Sequence, residues 1–146
     1  MTLKELKGPV LLDIPADPAS LFLVRALLGK LSENIGFSGK EADLLVLAID
    51  EACTNVIRHA YKNSSDKRII LTFKVNLDYL EIHIRDFGAA VDPATFKSRD
   101  LDDVRPGGLG IHFIRSVVDK MEYDHPPEGG MLLKMIKFRP RQETVN

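Results

Sequence analysis

Between Tyr61 and Ile69 the hydrophobic period of the chain changes from helical to alternating, and that change decides what the chain can fold into. Ahead of it, Leu45, Ala48, Ile49, Ala52, Val56 and Ala60 recur at the spacing of one helix face. Beyond it, Ile69, Leu71, Phe73 and Val75 alternate with Ile70, Thr72, Lys74 and Asn76. Leu80, Ile82 and Ile84 then alternate with Glu81, His83 and Arg85. Two half-buried antiparallel strands joined around residues 76–78 meet this pattern. A sheet with one helix-covered face and one wetter face follows.

The flanking segments extend the same architecture. Residues 9–15 (PVLLDIP) read as a strand, and Asp17 with Pro18 forms a helix start, an N-cap oxygen before a first-turn proline. Leu21, Val24, Leu28, Leu31 and Ile35 then keep helical spacing until Gly36 stops them. The second helix opens at Ser38, with Glu41 completing a capping box, and ends near Tyr61. Residues 92–106 are polar, contain proline and read as a long loop. Gly110 is expected to open a third helix carrying Ile111, Ile114, Val117, Val118 and Met121. Closing strands fall at residues 121–124 and 131–138, around the turn HPPEGG. The order is β-α-α-β-β-loop-α-β-β: an α+β, two-layer sandwich whose sheet is mixed and mainly antiparallel, in one domain over residues 1–146.

Composition removes several classes of function. Twenty Lys and Arg against 21 Asp and Glu leave a net charge of −1, so no basic field recommends nucleic acid or an anionic membrane. The single cysteine, Cys53, excludes an internal disulfide and a cysteine-clustered zinc site, and reads as a small core hydrophobe. The longest apolar run is six residues, 44–49, against the roughly 20 a bilayer requires. The first residues, MTLKELKGPV, lack a signal peptide's apolar core, so a cytoplasmic protein is expected.

Three segments carry candidate chemistry. In DEACTNVIRHAY, Glu51, Asn55 and His59 succeed one another at four-residue steps and project near one edge of the helix. A solvated polar stripe is the plain alternative, but Ala52, Cys53, Val56 and Ile57 flank these residues and suit the rim of a site. Two oxygen donors there suit Mg²⁺, which takes few protein ligands. Alternation puts Asp86 on the core side with Ile82 and Ile84, either as a cap for the turn before Gly88 or as an acceptor for a ligand amine. In RPGGLGIHFI, Gly107, Gly108 and Gly110 lie at a helix start and suit either a phosphate cradle or a hinge. Neither a Walker loop nor a Rossmann fingerprint is present there.

In this order the segments resemble the Bergerat-fold (GHKL) ATPase superfamily and, within it, the bacterial anti-sigma-factor serine-protein kinases. The resemblance runs over roughly residues 10–138 and rests on IPADPASLFLVRALLGKL, DEACTNVIRHAY, RDFGAAVDP and GGLGIHFIRSVVDKMEY. It implies ATP and Mg²⁺ as cofactors. Glu51 matches the general base, and Asn55 matches the Mg²⁺ ligand. Asp86 matches the acceptor for the adenine amino group, and Gly88 lets the purine pass closely. Gly107, Gly108, Leu109 and Gly110 match the glycine box that holds the phosphates beneath a lid, and His59 borders the nucleotide. Arg105 either touches the γ-phosphate or caps the lid.

The implied function is ATP-dependent phosphorylation of a Ser or Thr on a small STAS-type anti-anti-sigma partner by a kinase that also sequesters a sigma factor. A homodimer is implied as well. Arg25 on the first helix is expected to touch the sigma factor, the substrate or a second subunit. The chain departs from the superfamily at Ala90, where a second glycine is usual, and at Met131, where many relatives carry a hydroxyl or amide residue. These departures keep open a nucleotide-responsive binding module without phosphotransfer.

Overall fold

Asp17 accepts a hydrogen bond from the Ala19 N–H at 3.0 Å, so the turn at Pro18–Ser20 is capped as its sequence requires and feeds directly into a helix. The computed structural model describes residues 2–64, 66–88 and 106–141, and the backbone alone for 106–109. Its elements are β1 (Val10–Pro15), α1 (Leu21–Asn34), α2 (Gly39–Asn55) with a wide turn at Val56–Ala60, β2 (Arg68–Val75) and β3 (Tyr79–Asp86). After these come α3 (Pro106–Val117), β4 (Lys120–Asp124) and β5 (Met131–Phe138).

The five strands lie in the order β1-β2-β3-β5-β4, and every neighbouring pair is antiparallel. Among the described residues the expected mixed sheet is therefore antiparallel throughout. β4 does run in the direction of β3, but β5 lies between them and turns one potential parallel contact into two antiparallel ones. The core faces are those read from alternation: Ile69, Leu71, Phe73 and Val75 of β2 and Leu80, Ile82 and Ile84 of β3 are buried. Leu21, Val24 and Leu28 of α1 and Leu45, Ala48, Ile49, Ala52 and Cys53 of α2 cover them. Among the described residues no helix is long and apolar enough to cross a membrane.

Helix boundaries follow local chemistry. Gly36, at φ +97°, closes α1 in the left-handed conformation that favours glycine. Ser38 accepts from the Glu41 N–H at 3.1 Å and its hydroxyl donates to the Glu41 carboxylate at 3.1 Å, a capping box closed side chain to side chain. α3 begins at Pro106, one turn ahead of the expected Gly110, because a proline at the first helical position gives up an N–H that has no partner anyway.

At the far end of the sheet the Arg139 guanidinium donates to the carbonyls of Leu3, Lys4, Ile35 and Asn76, tying together the first residues, the α1 end and the β2–β3 turn. Among the described residues one buried polar group is unsatisfied: Ser32 in α1 is fully buried and its hydroxyl has no hydrogen-bond partner. A buried orphan hydroxyl costs about 1–3 kcal/mol, and alanine is the better helix former. Ser32→Ala is expected to raise the melting temperature by roughly 2–8 °C. A thermal melt that shows no rise contradicts the assignment.

Candidate active site

β3 delivers Asp86 to the core side of the sheet, where it is 5% exposed. Its Oδ1 accepts the Gly88 N–H at 3.0 Å, so the turn-capping role is real. Burial pushes its carboxyl above the usual range, against the opposing pull of the Gly88 and Met131 backbone N–H groups and the Arg85 guanidinium. A carboxylate held at that cost at the end of a strand is also a strong acceptor for an incoming donor. Arg85 points to the opposite face, donates to the Met131 carbonyl at 3.3 Å and to the Asp86 carbonyl, and lies 4.4 Å from the Phe87 ring centre.

The second half of α2 supplies Glu51 and Asn55, one turn apart and both half-buried. α3 meets Glu51 at Gly110, where a Cβ would collide with the carboxylate. The glycine box and the candidate base are therefore in contact, and a side chain at residue 110 would displace the Glu51 carboxylate from its present place. Gly107, Gly108 and Leu109 form the preceding helical backbone, while Arg105 lies outside the described residues, as do Ala89 and Ala90. At Gly88 a Cβ would stand 2.9 Å from the Ala60 carbonyl oxygen, so this glycine lets the strand end approach the end of the α2 segment.

His59 does not continue the line of Glu51 and Asn55. The Tyr61 N–H donates to the Val56 carbonyl at 3.0 Å, a step of five residues, so residues 56–60 form a π turn. His59 is exposed; Ile57 is buried, and Val56, whose N–H still bonds to the Ala52 carbonyl, is half-buried and packs against the core. Cys53 is fully buried, and burial, reinforced by Asp50, pushes its thiol up to about 12. It packs as a hydrophobe. Arg25 forms a 2.6 Å ion pair with Asp50 of α2, a partner within the chain that periodicity did not disclose.

Two residues of this region escaped sequence reasoning. Tyr61, 4% exposed, donates its hydroxyl to the Arg68 carbonyl at 2.6 Å and accepts the Phe87 N–H at 2.6 Å. Gly130, at φ +71°, presses against the Asp86 backbone. A tyrosine ending an apolar stripe and a glycine in a turn have ordinary local explanations, so only the tertiary contacts set them apart. Among the described residues no three of His, Cys, Asp and Glu gather as a metal cage. The Asn55 carboxamide oxygen is a single hard donor, which fits Mg²⁺ completed by phosphates and water.

Residues 14–137 match the family model described as the histidine kinase-like ATPase domain. The serine-protein kinase RsbW of Listeria innocua is 31% identical over 139 residues, covering 88% of this chain and 86% of that protein. RsbW of Bacillus pumilus is 30% identical over 146 residues, covering 91% and 87%. In fold, the chain is similar to a chain of the SiaB-SiaC complex from Pseudomonas aeruginosa, with a TM-score of 0.66, 12% identity and coverage of 91% and 89%.

Proposed function

The chain belongs to the histidine kinase-like ATPase domain family and, within it, to the RsbW serine-protein kinases, and on that premise we propose that it transfers the γ-phosphate of ATP to a serine or threonine of a small STAS-type anti-anti-sigma protein and holds a sigma factor inactive. The observation that carries this reading is the contact between Glu51 and Gly110, in a chain whose Asp86 is buried at the end of β3. It joins the proposed base to the glycine-rich helix start.

In this reading Asp86 accepts from the adenine amino group, and the backbone N–H groups at the start of α3 face the phosphates. Asn55 contributes a carboxamide oxygen to Mg²⁺, which when bound neutralises charge on the β- and γ-phosphates. Glu51 takes the proton of the attacking hydroxyl as its oxygen bonds to the γ-phosphorus and the bond to the ADP oxygen breaks. Arg25, held by Asp50 on the outer helices, is assigned to contacts with the sigma factor, the substrate or a second copy in a homodimer. His59 and Arg105 border the nucleotide in this assignment.

The test is to identify proteins that co-purify with the chain, add ATP labelled at the γ-phosphate, and look for label on a serine or threonine. Transfer to a small partner supports the reading. Nucleotide-dependent partner exchange without any transfer makes the protein a binding module instead.

A further inference from the structure

The Tyr61 hydroxyl occupies a place where the sheet's own register calls for a backbone hydrogen bond. The Asn76 N–H donates to the Tyr79 carbonyl at 3.0 Å, which makes that pair a hydrogen-bonded rung of the β2–β3 ladder. Such rungs recur at every second residue, so Thr72 with His83 and Ile70 with Arg85 share its phase. The next rung sets the Phe87 N–H against the Arg68 carbonyl. Instead the Phe87 N–H donates to Tyr61 Oη at 2.6 Å, and that hydroxyl donates to the Arg68 carbonyl at 2.6 Å. One oxygen atom is inserted into the ladder, and it comes from the end of the π turn.

The insertion falls one residue after Asp86. It parts the end of β3 from β2, and the strand leaves the sheet towards α2, where Gly88 meets the Ala60 backbone. We propose that Tyr61 is a positioning residue for base recognition: its hydroxyl sets how far the segment Asp86–Gly88 peels from the sheet and so where the Asp86 carboxylate meets the exocyclic amine of adenine. The proposal rests on the assignment of Asp86 to the adenine. A plain structural link between the π turn and the sheet would lower stability but leave base preference alone.

Titration of the full chain with Mg·ATP and with Mg·GTP separates the two, using Tyr61→Phe, which keeps the ring and removes the oxygen. The expected result is a loss of ATP affinity of about tenfold, the scale of one hydrogen bond, with the preference for ATP over GTP narrowed by a similar factor. A folded Tyr61→Phe protein with native ATP affinity and native ATP-to-GTP ratio overturns the proposal. Asp86→Ala run alongside distinguishes the failures: if it too leaves ATP affinity intact, the adenine assignment itself falls. Hydrogen exchange of the Phe87 amide in the unmodified protein gives a check that needs no variant. Slow exchange is expected, and exchange at the rate of an open loop overturns the proposal.

Discussion

Glu51→Ala should slow phosphoryl transfer by about 10²–10⁴-fold while the protein still binds Mg·ATP and its partner. A general base acts on the proton of the attacking hydroxyl, so its removal raises the barrier without taking a contact from the nucleotide. Asn55→Ala should fail differently, losing magnesium-dependent nucleotide binding because a metal ligand has gone. Single-turnover transfer and calorimetric titration together read both outcomes. Native transfer rates in both variants would remove Glu51 and Asn55 from the site.

The second large effect belongs to Asp86. A hydrogen bond to a buried charged group is worth about 1.5–3 kcal/mol, so Asp86→Ala should weaken ATP binding by roughly 10- to 150-fold. GTP, which lacks the adenine amine, should bind poorly to the unmodified protein. Equal affinity for the two nucleotides would exclude Asp86 from the adenine role. Burial raises the Asp86 carboxyl, so it takes up a proton at a higher pH than an ordinary carboxylate. ATP affinity should therefore decline earlier than usual as the pH is lowered. The sign for the ligand-free fold is opposite: a raised pKa favours the folded state in acid, and that contribution is lost as the pH rises through it. Asp86→Asn should accordingly melt higher at neutral pH than the unmodified protein while binding ATP less well.

The period change after Tyr61 made the layering legible, because alternation in β2 and β3 left only one face for the helices, and the buried residues are those it named. The depth of Asp86 followed from the same alternation. Strand order was not legible, since the placement of β5 between β3 and β4 depends on how a crossover packs rather than on any residue in the strands. The start of α3 was misplaced because Gly107 and Gly108 read as lying ahead of the helix, whereas Pro106 had already set the helical φ. The shared helix edge of Glu51 and Asn55, one turn apart, was legible from spacing. Tyr61 was not, because its role is a bond to the backbone of residues far along the chain, and such a bond leaves no trace in hydropathy.

The π turn at Val56–Ala60 also bears on how the gene can change length. A five-residue step inside a helix is an α-helix with one residue inserted, and the residues on either side stay in phase with each other. Deleting one exposed residue there, such as Arg58, would let Tyr61 bond to Val56 across an ordinary four-residue step. Asn55 and Tyr61 would keep their places, and the displacement of His59 would be what is lost. The helix through this site thus contains a position where a codon can come or go without breaking the frame of the site, although a deletion elsewhere in α2 would rotate everything beyond it.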